Sequence, residues 1–280
     1  MSGIFPCCMA VPKASRYNAG MTALLTPEQI AALCRPAAQR VDVRVVEETG
    51  STNADLMAAL PGLTGPRLLI ARHQRAGRGR AGRPWQSRPG QSLTFSLAWK
   101  FERGLQALVG LPLAVGVTLA ETLALFGAEV RLKWPNDLLL EGRKAAGILI
   151  ESAAAGPGSW AVIGIGINLA LDEETVAGLD RPVASLAPLA AIDQNLLMAA
   201  LLSALAEMLE EFAQQGLAPF AARWNRLHAY AGQPVAILEN GRALHEGIGV
   251  GVDEVGRFLI DTGAGRVAVM AGDVSLRPKE

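Results

Sequence analysis

The chain has 280 residues, half of them hydrophobic and 19% charged, with 26 basic residues balancing 26 acidic ones. That composition excludes a disordered chain, and a zero net charge leaves no overall field for nucleic acid or an anionic membrane. The three cysteines (Cys7, Cys8 and Cys34) make neither a disulfide framework nor a cysteine-rich zinc site, so a reducing, cytoplasmic setting is expected.

In chain order, Pro6 and Pro12 interrupt the only apolar run that could serve as a signal peptide, and Met21 is an alternative start. Residues 1–22 are therefore read as a loose tail. Thr26-Pro27-Glu28 writes a helix N-terminus, with a hydroxyl cap, a proline at the first helical position and a carboxylate near the positive end. That helix should end near Arg35-Pro36. Residues 41–47 alternate as a strand, and Gly50-Ser51-Thr52-Asn53 offers caps for a short helix through Ala59. Residues 67–72 form a strand, and 91–100 alternate cleanly, with Leu93, Phe95, Leu97 and Trp99 on one face. The apolar residues 105–126 are expected to form one buried helix rather than a membrane span. Short strands follow at 130–133, 138–140, 145–152 and 160–168, then helices at 193–215 and 218–230. From Gly232 onward, β-rich runs broken at 239–241, 253–256 and 262–265 suggest a small barrel.

The segment from Gln74 to Trp85 carries the densest chemistry, with Gly77, Gly79 and Gly82 interleaved with Arg75, Arg78, Arg80 and Arg83. From Leu56 to Phe101 there is no Asp or Glu, while Arg67, Arg72, Arg88 and Lys100 add to the positive charge. Planar guanidinium forks and close backbone N–H groups suit phosphate and carboxylate, so this is read as a local anion attractor. A solvated basic loop is the plainer alternative. The formal G-x-G-x-x-G match is accidental, because Pro84 and an alternating strand follow where that motif requires a helix. Lys133-Trp134-Pro135-Asn136-Asp137 ends one strand, and Lys144 opens another whose Ala-Ala-Gly147 surface could lie flat against a ligand. Gly164-Ile-Gly166-Ile-Asn168 adds a glycine-relieved strand ending in an amide; a tightly packed buried strand reads equally well. His73, His228 and His245 lack metal-ligand spacing and are expected to be surface or satisfied core residues.

Taken in order, Ser51-Thr52-Asn53, the Gly-Arg loop with Gln74 and Trp85, Lys133-Trp-Pro-Asn-Asp137, Arg143-Lys144-x-x-Gly147 and Gly-x-Gly-Ile-Asn168 strongly resemble the biotin protein ligase family. The similarity covers about residues 45–278, including Ser275-Leu276-Arg277. It implies an α+β fold: a class II aminoacyl-tRNA synthetase-like catalytic domain at 23–231, a mixed sheet with helices, then an SH3-like barrel at 232–280. It also implies two half-reactions. The carboxylate of biotin attacks the α-phosphate of ATP to give biotinyl-5′-AMP, and a lysine amine of a biotin carboxyl carrier protein then takes the acyl group.

On this resemblance Ser51, Thr52, Asn53 and Gln74 should bind the biotin head group, and Arg78, Gly79 and Arg80 should fold over biotin and adenylate. Gly147 should floor the biotin site. Lys144 and Arg80 carry the chemistry, with Lys144 touching both the biotin carboxyl and the α-phosphate. Arg80, Arg83, Trp85, Lys133, Asn136, Asp137 and Asn168 belong to the ATP side, where magnesium (Mg2+) is expected through the phosphates. Only about forty residues precede the first core strand, so an N-terminal winged helix and a repressor role are not expected. Partners are the carrier domain of a carboxylase such as acetyl-CoA carboxylase and a possible second copy of the chain, without nucleic acid or membrane. A lipoate–protein ligase of the same superfamily is the nearer rival, and a nucleic-acid-binding module using the arginine loop the more distant one.

Overall fold

A computed structural model describes residues 24–172, 175–176, 182–239, 241–272 and 274–279; the expected tail at 1–22 lies outside them, as do Cys7 and Cys8. A seven-stranded sheet, ordered β1-β2-β3-β7-β6-β5-β4, forms the larger unit. Its strands are β1 (Asp42–Thr49), β2 (Arg67–Gln74), β3 (Ser92–Phe101), β4 (Arg131–Lys133), β5 (Asp137–Leu140), β6 (Arg143–Ala155) and β7 (Gly158–Asn168). Only β1 and β2 pair in parallel; all other neighbours are antiparallel, making the sheet mixed. Helix α2 (Thr52–Ala59) is the crossover between β1 and β2, and Ser51 caps it by accepting from the Ala54 amide.

The two faces of the sheet do different work. Leu93, Phe95, Leu97 and Trp99 of β3 point into the main core with Ala161, Ile163, Ile165 and Ile167 of β7. This face is covered by α1 (Pro27–Leu33), α3 (Leu111–Leu125) and α4 (Gln194–Gln215). The 22 residues of α4 start at Asp193, whose Oδ1 accepts from the Asn195 and Leu196 amides. Its leucines and methionines are core except Leu196, which is 44% exposed. On the opposite face α2 covers Leu69, Ala98, Trp160 and Val162, and beyond α2 the sheet is left open.

The expected single helix at 105–126 is instead a 3-10 turn (Leu105–Leu108) followed by α3, separated at Gly110 with φ +83°. A left-handed residue ends any right-handed helix, and Leu217 packs within 2.8 Å of where a Gly110 Cβ would sit. The stretch Leu105–Leu125 is apolar enough, by length and composition alone, to cross a membrane, yet 67% of its apolar 18-residue window is buried inside the protein. The α-helical part is only about 22 Å long, short of the ~30 Å hydrocarbon layer.

Helix α5 (Ala218–Leu227) stops three residues before the expected end, and the chain turns into five antiparallel strands ordered β11-β10-β9-β8-β12. These are β8 (Pro234–Glu239), β9 (Arg242–Val252), β10 (Phe258–Thr262), β11 (Gly265–Val269) and β12 (Val274–Pro278), the SH3-like unit. It is fastened to the larger unit by Trp134, whose indole donates to the Gly256 carbonyl at 3.2 Å and packs on Phe258. Asn225 clasps Val252 through both its amide and carbonyl groups.

At this junction His228 is buried against Trp224 and Phe258, and neither ring nitrogen has a hydrogen-bond partner among the described residues. The expectation of a surface or satisfied histidine therefore fails here. Burial lowers its pKa to about 4 from 6.5. Between those values the unfolded chain binds the proton that the folded protein refuses. The stabilising contribution is thus complete above pH 6.5 and is lost as pH falls through about 4, at up to about 1.4 kcal/mol per pH unit. His228→Phe should flatten the acid limb of a stability–pH profile in that window; an unchanged limb would mean that His228 does not report the junction.

Candidate active site

The open part of the sheet floors a cleft of 870 Å³. Its walls are the α2 N-terminus, the Gly-Arg loop, the β4–β5 turn, the start of β6 and one edge of the C-terminal unit. All fifteen candidate residues line it: Ser51, Thr52, Asn53, Gln74, Arg78, Gly79, Arg80, Arg83, Trp85, Lys133, Asn136, Asp137, Lys144, Gly147 and Asn168. Residues 117 positions apart in sequence thus share one surface because β2, β3, β7 and β6 are sheet neighbours.

One end is polar and uncharged. The Thr52 amide and hydroxyl lie 2.8 and 3.1 Å from Gln74 Oε1, and the Thr52 and Ser96 hydroxyls are 2.6 Å apart. Ser96 in turn donates to Asn53 Oδ1 at 2.6 Å. With the Ser96 proton committed to Asn53, the single Thr52 proton serves either Gln74 or Ser96. Ser51, Thr52, Asn53, Gln74 and Ser96 are all buried, so the set is held by protein contacts.

The middle is floored by glycines of β6 and β7. A Cβ at Gly164 would come 2.3 Å from Asn53 Oδ1, one at Gly166 would fall 2.3 Å from the Trp85 ring, and one at Gly147 would lie 2.9 Å from Lys144 Nζ. The packed-strand and ligand-floor readings of these glycines therefore meet: the strand is packed, but by Asn53, Trp85 and Lys144 of the site itself. The indole Nε1 of Trp85 is buried with no hydrogen-bond partner among the described residues.

The far end is cationic. Lys144 pairs with Asp137, both side chains less than a fifth exposed, and its ammonium lies 5.8 Å from the Trp85 ring centroid. Its backbone is clamped from both sides: Lys144 N donates to Pro182 O, and Lys144 O accepts from Ala184 N and Asn168 Nδ2. Asn168 is thereby a strut beneath Lys144. Asn136 holds the Ile148 carbonyl at 2.6 Å and accepts from Arg80 at 3.1 Å, while Arg80 also reaches the Gly272 carbonyl of the C-terminal unit. Trp134 of the same motif is buried in the junction, so the peptide Lys-Trp-Pro-Asn-Asp contributes its polar members to the cleft and its indole mainly to packing. The bond before Pro135 is cis.

The Gly-Arg loop folds on itself, with Gly79 N donating to Arg83 O and Trp85 N to Gly77 O. Ala81 and Gly82 both take positive φ. The acid-free segment is less of an attractor in space than in sequence, because acids arrive from elsewhere. Asp42, Glu47 and Glu48 of β1 pair with Arg67, Arg72 and Arg75, while Glu151 and Asp172 face Arg78 and Arg88. Parallel pairing with acidic β1 is invisible in the segment's own composition. Ser96 and Glu151 were missed by the sequence reading. Ser96 left a signal, since the polar alternate positions of β3 are buried on the cleft side; Glu151 left none.

The chain thus combines a mixed sheet and a β-rich C-terminal unit with one cleft that joins a buried polar end to a lysine-and-arginine end. The model of the "Biotin/lipoate A/B protein ligase family" matches residues 44–168, and that of the "Biotin protein ligase C terminal domain" matches residues 230–277. The bifunctional ligase/repressor BirA of Escherichia coli is 39% identical over 242 residues, covering 85% of this chain and 75% of its own. The biotin–[acetyl-CoA-carboxylase] ligase of Paracoccus denitrificans is 35% identical, covering 82% of this chain and 98% of its own. The structure of the biotin protein ligase from Aquifex aeolicus in complex with biotin and ATP superposes with a TM-score of 0.71 at 28% identity, covering 85% of this chain and 99% of its own. The chain belongs to the biotin protein ligase family and is a ligase.

Proposed function

We propose that the protein activates biotin with ATP as biotinyl-5′-AMP, releasing pyrophosphate. It then transfers the acyl group to a lysine on the carrier domain of a biotin-dependent carboxylase. The observation that carries this reading is the glycine floor formed by Gly147 of β6 and Gly164 and Gly166 of β7. It runs from a neutral hydrogen-bonding end to Lys144, which suits a molecule with a polar uncharged head, a thin apolar tail and a terminal carboxylate.

In the first step a carboxylate oxygen bonds to the α-phosphorus as the bond to the β-phosphate oxygen breaks. Two anions must meet, so the gain comes from cations already in place. Lys144 is placed to exchange Asp137 for the incoming carboxylate and α-phosphate. Arg80, Arg83 and Lys133 line the same end, where the leaving pyrophosphate needs positive charge. In the second step the carrier lysine, as the free amine, attacks the acyl carbon; the bond from that carbon to the phosphate oxygen breaks, AMP departs with its electron pair, and the extra proton on nitrogen passes to the AMP phosphate or to water. Among the described residues no three acidic, histidine or cysteine side chains converge on a metal site, and Asp137 is the carboxylate lining the cleft. This donor set fits a magnesium ion held mainly by phosphates and water, with Asp137 supplying the protein oxygen; when bound, the ion neutralises phosphate charge. The reading places the reaction in the cytoplasm, on a protein acceptor rather than on nucleic acid or a membrane.

Pyrophosphate–ATP exchange should occur with biotin and be absent with lipoate or with neither acid. Exchange with lipoate alone would move the protein to the sister class. Exchange with neither would leave the cleft a binding shell, to be tested with nucleic acid.

A further inference from the structure

The polar end of the cleft does not stop at Asn53. Asn53 Nδ2 donates to Glu151 Oε2 at 2.8 Å and to the Leu149 carbonyl at 3.3 Å, and Arg78 donates to the same Glu151 oxygen at 3.0 Å. One hydrogen-bonded line therefore runs from Gln74 through Thr52, Ser96 and Asn53 to Glu151 and back to Arg78. The two ends are four residues apart, Gln74 closing β2 and Arg78 standing in the loop that follows. Glu151 is the carboxylate of that line, and it stands on β6, a rigid strand registered against Val162 of β7.

We propose that Glu151 is a positioning residue for the activation step, resting on the function proposed above. Through one oxygen it sets the amide of Asn53, with Nδ2 outward and Oδ1 toward Ser96, and it latches the guanidinium of Arg78 over the cleft. A carboxylate makes both of these bonds charge-assisted, which a carboxamide oxygen in the same place does not. In Glu151→Gln the two donors can still share one oxygen, but the charge that strengthens both bonds is gone, and the Arg78 guanidinium loses its counter-ion. Arg78 and Glu151 side chains are 45% and 29% exposed, so the pair adds little to folding and its worth lies in geometry. A head group that engages Asn53 thereby also feels whether Arg78 is latched.

The test compares wild type, Glu151→Gln, Arg78→Ala and the double variant by biotin-dependent exchange and by the release rate of biotinyl-5′-AMP formed on the enzyme. The expected result for Glu151→Gln is a biotin KM about tenfold higher, kcat lowered less than threefold, release several-fold faster and an unchanged thermal midpoint. Release in the double variant should equal that of Arg78→Ala, because the latch is broken only once. Wild-type KM and release in Glu151→Gln, or additive release in the double variant, overturns the proposal while leaving the ligase reading intact. Loss of exchange in wild type overturns the ligase reading itself. Arg78→Ala acts from the solvent side of the latch, so it reads the same contact if Glu151→Gln folds poorly.

Discussion

Lys144→Ala is expected to lower biotin-dependent pyrophosphate–ATP exchange by about a thousandfold, the largest effect of any single substitution in the cleft. Losing one well-placed donor to a developing charge costs about a hundred- to a thousandfold. Here the donor is a full cation, less than a fifth exposed, and in the proposed reaction it meets two anions, so the upper end applies. Stability should change far less. Removing the ammonium leaves Asp137 without its ion pair, at a cost of about 1 kcal/mol for a partly solvated group, and thus a few degrees in thermal midpoint. Lys144→Ala combined with Asp137→Ala should recover those degrees without recovering exchange. Exchange within threefold of wild type in Lys144→Ala would remove the lysine from the chemistry.

Gly164→Ala is expected to raise the biotin KM by about a hundredfold. Its new methyl would sit 2.3 Å from Asn53 Oδ1 and 2.9 Å from Cγ. Asn53 cannot step aside cheaply: it is buried at the start of α2 and bonded to Ser96, Leu149 and Glu151. A displacement of about 1 Å in a positioning group is enough for such a loss. Gly166→Ala makes an equally close contact, but with the Trp85 indole, which rides on the loop. Because Trp85 stands on a loop, whereas Asn53 is fixed at a helix start, about a tenfold effect is expected there. Equal effects at the two glycines, measured by biotin titration of exchange, would show that Asn53 does not hold the head group.

Much of this was legible in the sequence because the informative features are local. Ser51 caps α2, Asp193 caps α4, and the alternation of β3 puts Leu93, Phe95, Leu97 and Trp99 in the core, each decided by residues within a few positions. The break within residues 105–126 is not legible for a related reason. The composition of this stretch is uniformly apolar, and only the left-handed conformation of Gly110, imposed by Leu217 more than a hundred residues away, breaks it.

The sequence by itself marked the residues that the cleft gathers, because the motifs that resemble a known family are short local strings of glycine, arginine, lysine and amides. It also determined the class of fold, through hydrophobic period and turn residues. What only the tertiary structure decided is how those residues are paired. The β1 acids that partner three arginines, the desolvation of His228 at the domain junction, and the placement of Glu151 between Asn53 and Arg78 all depend on neighbours brought together by the sheet. Electrostatic partnership and desolvation are properties of distance in space, and no window of sequence contains them.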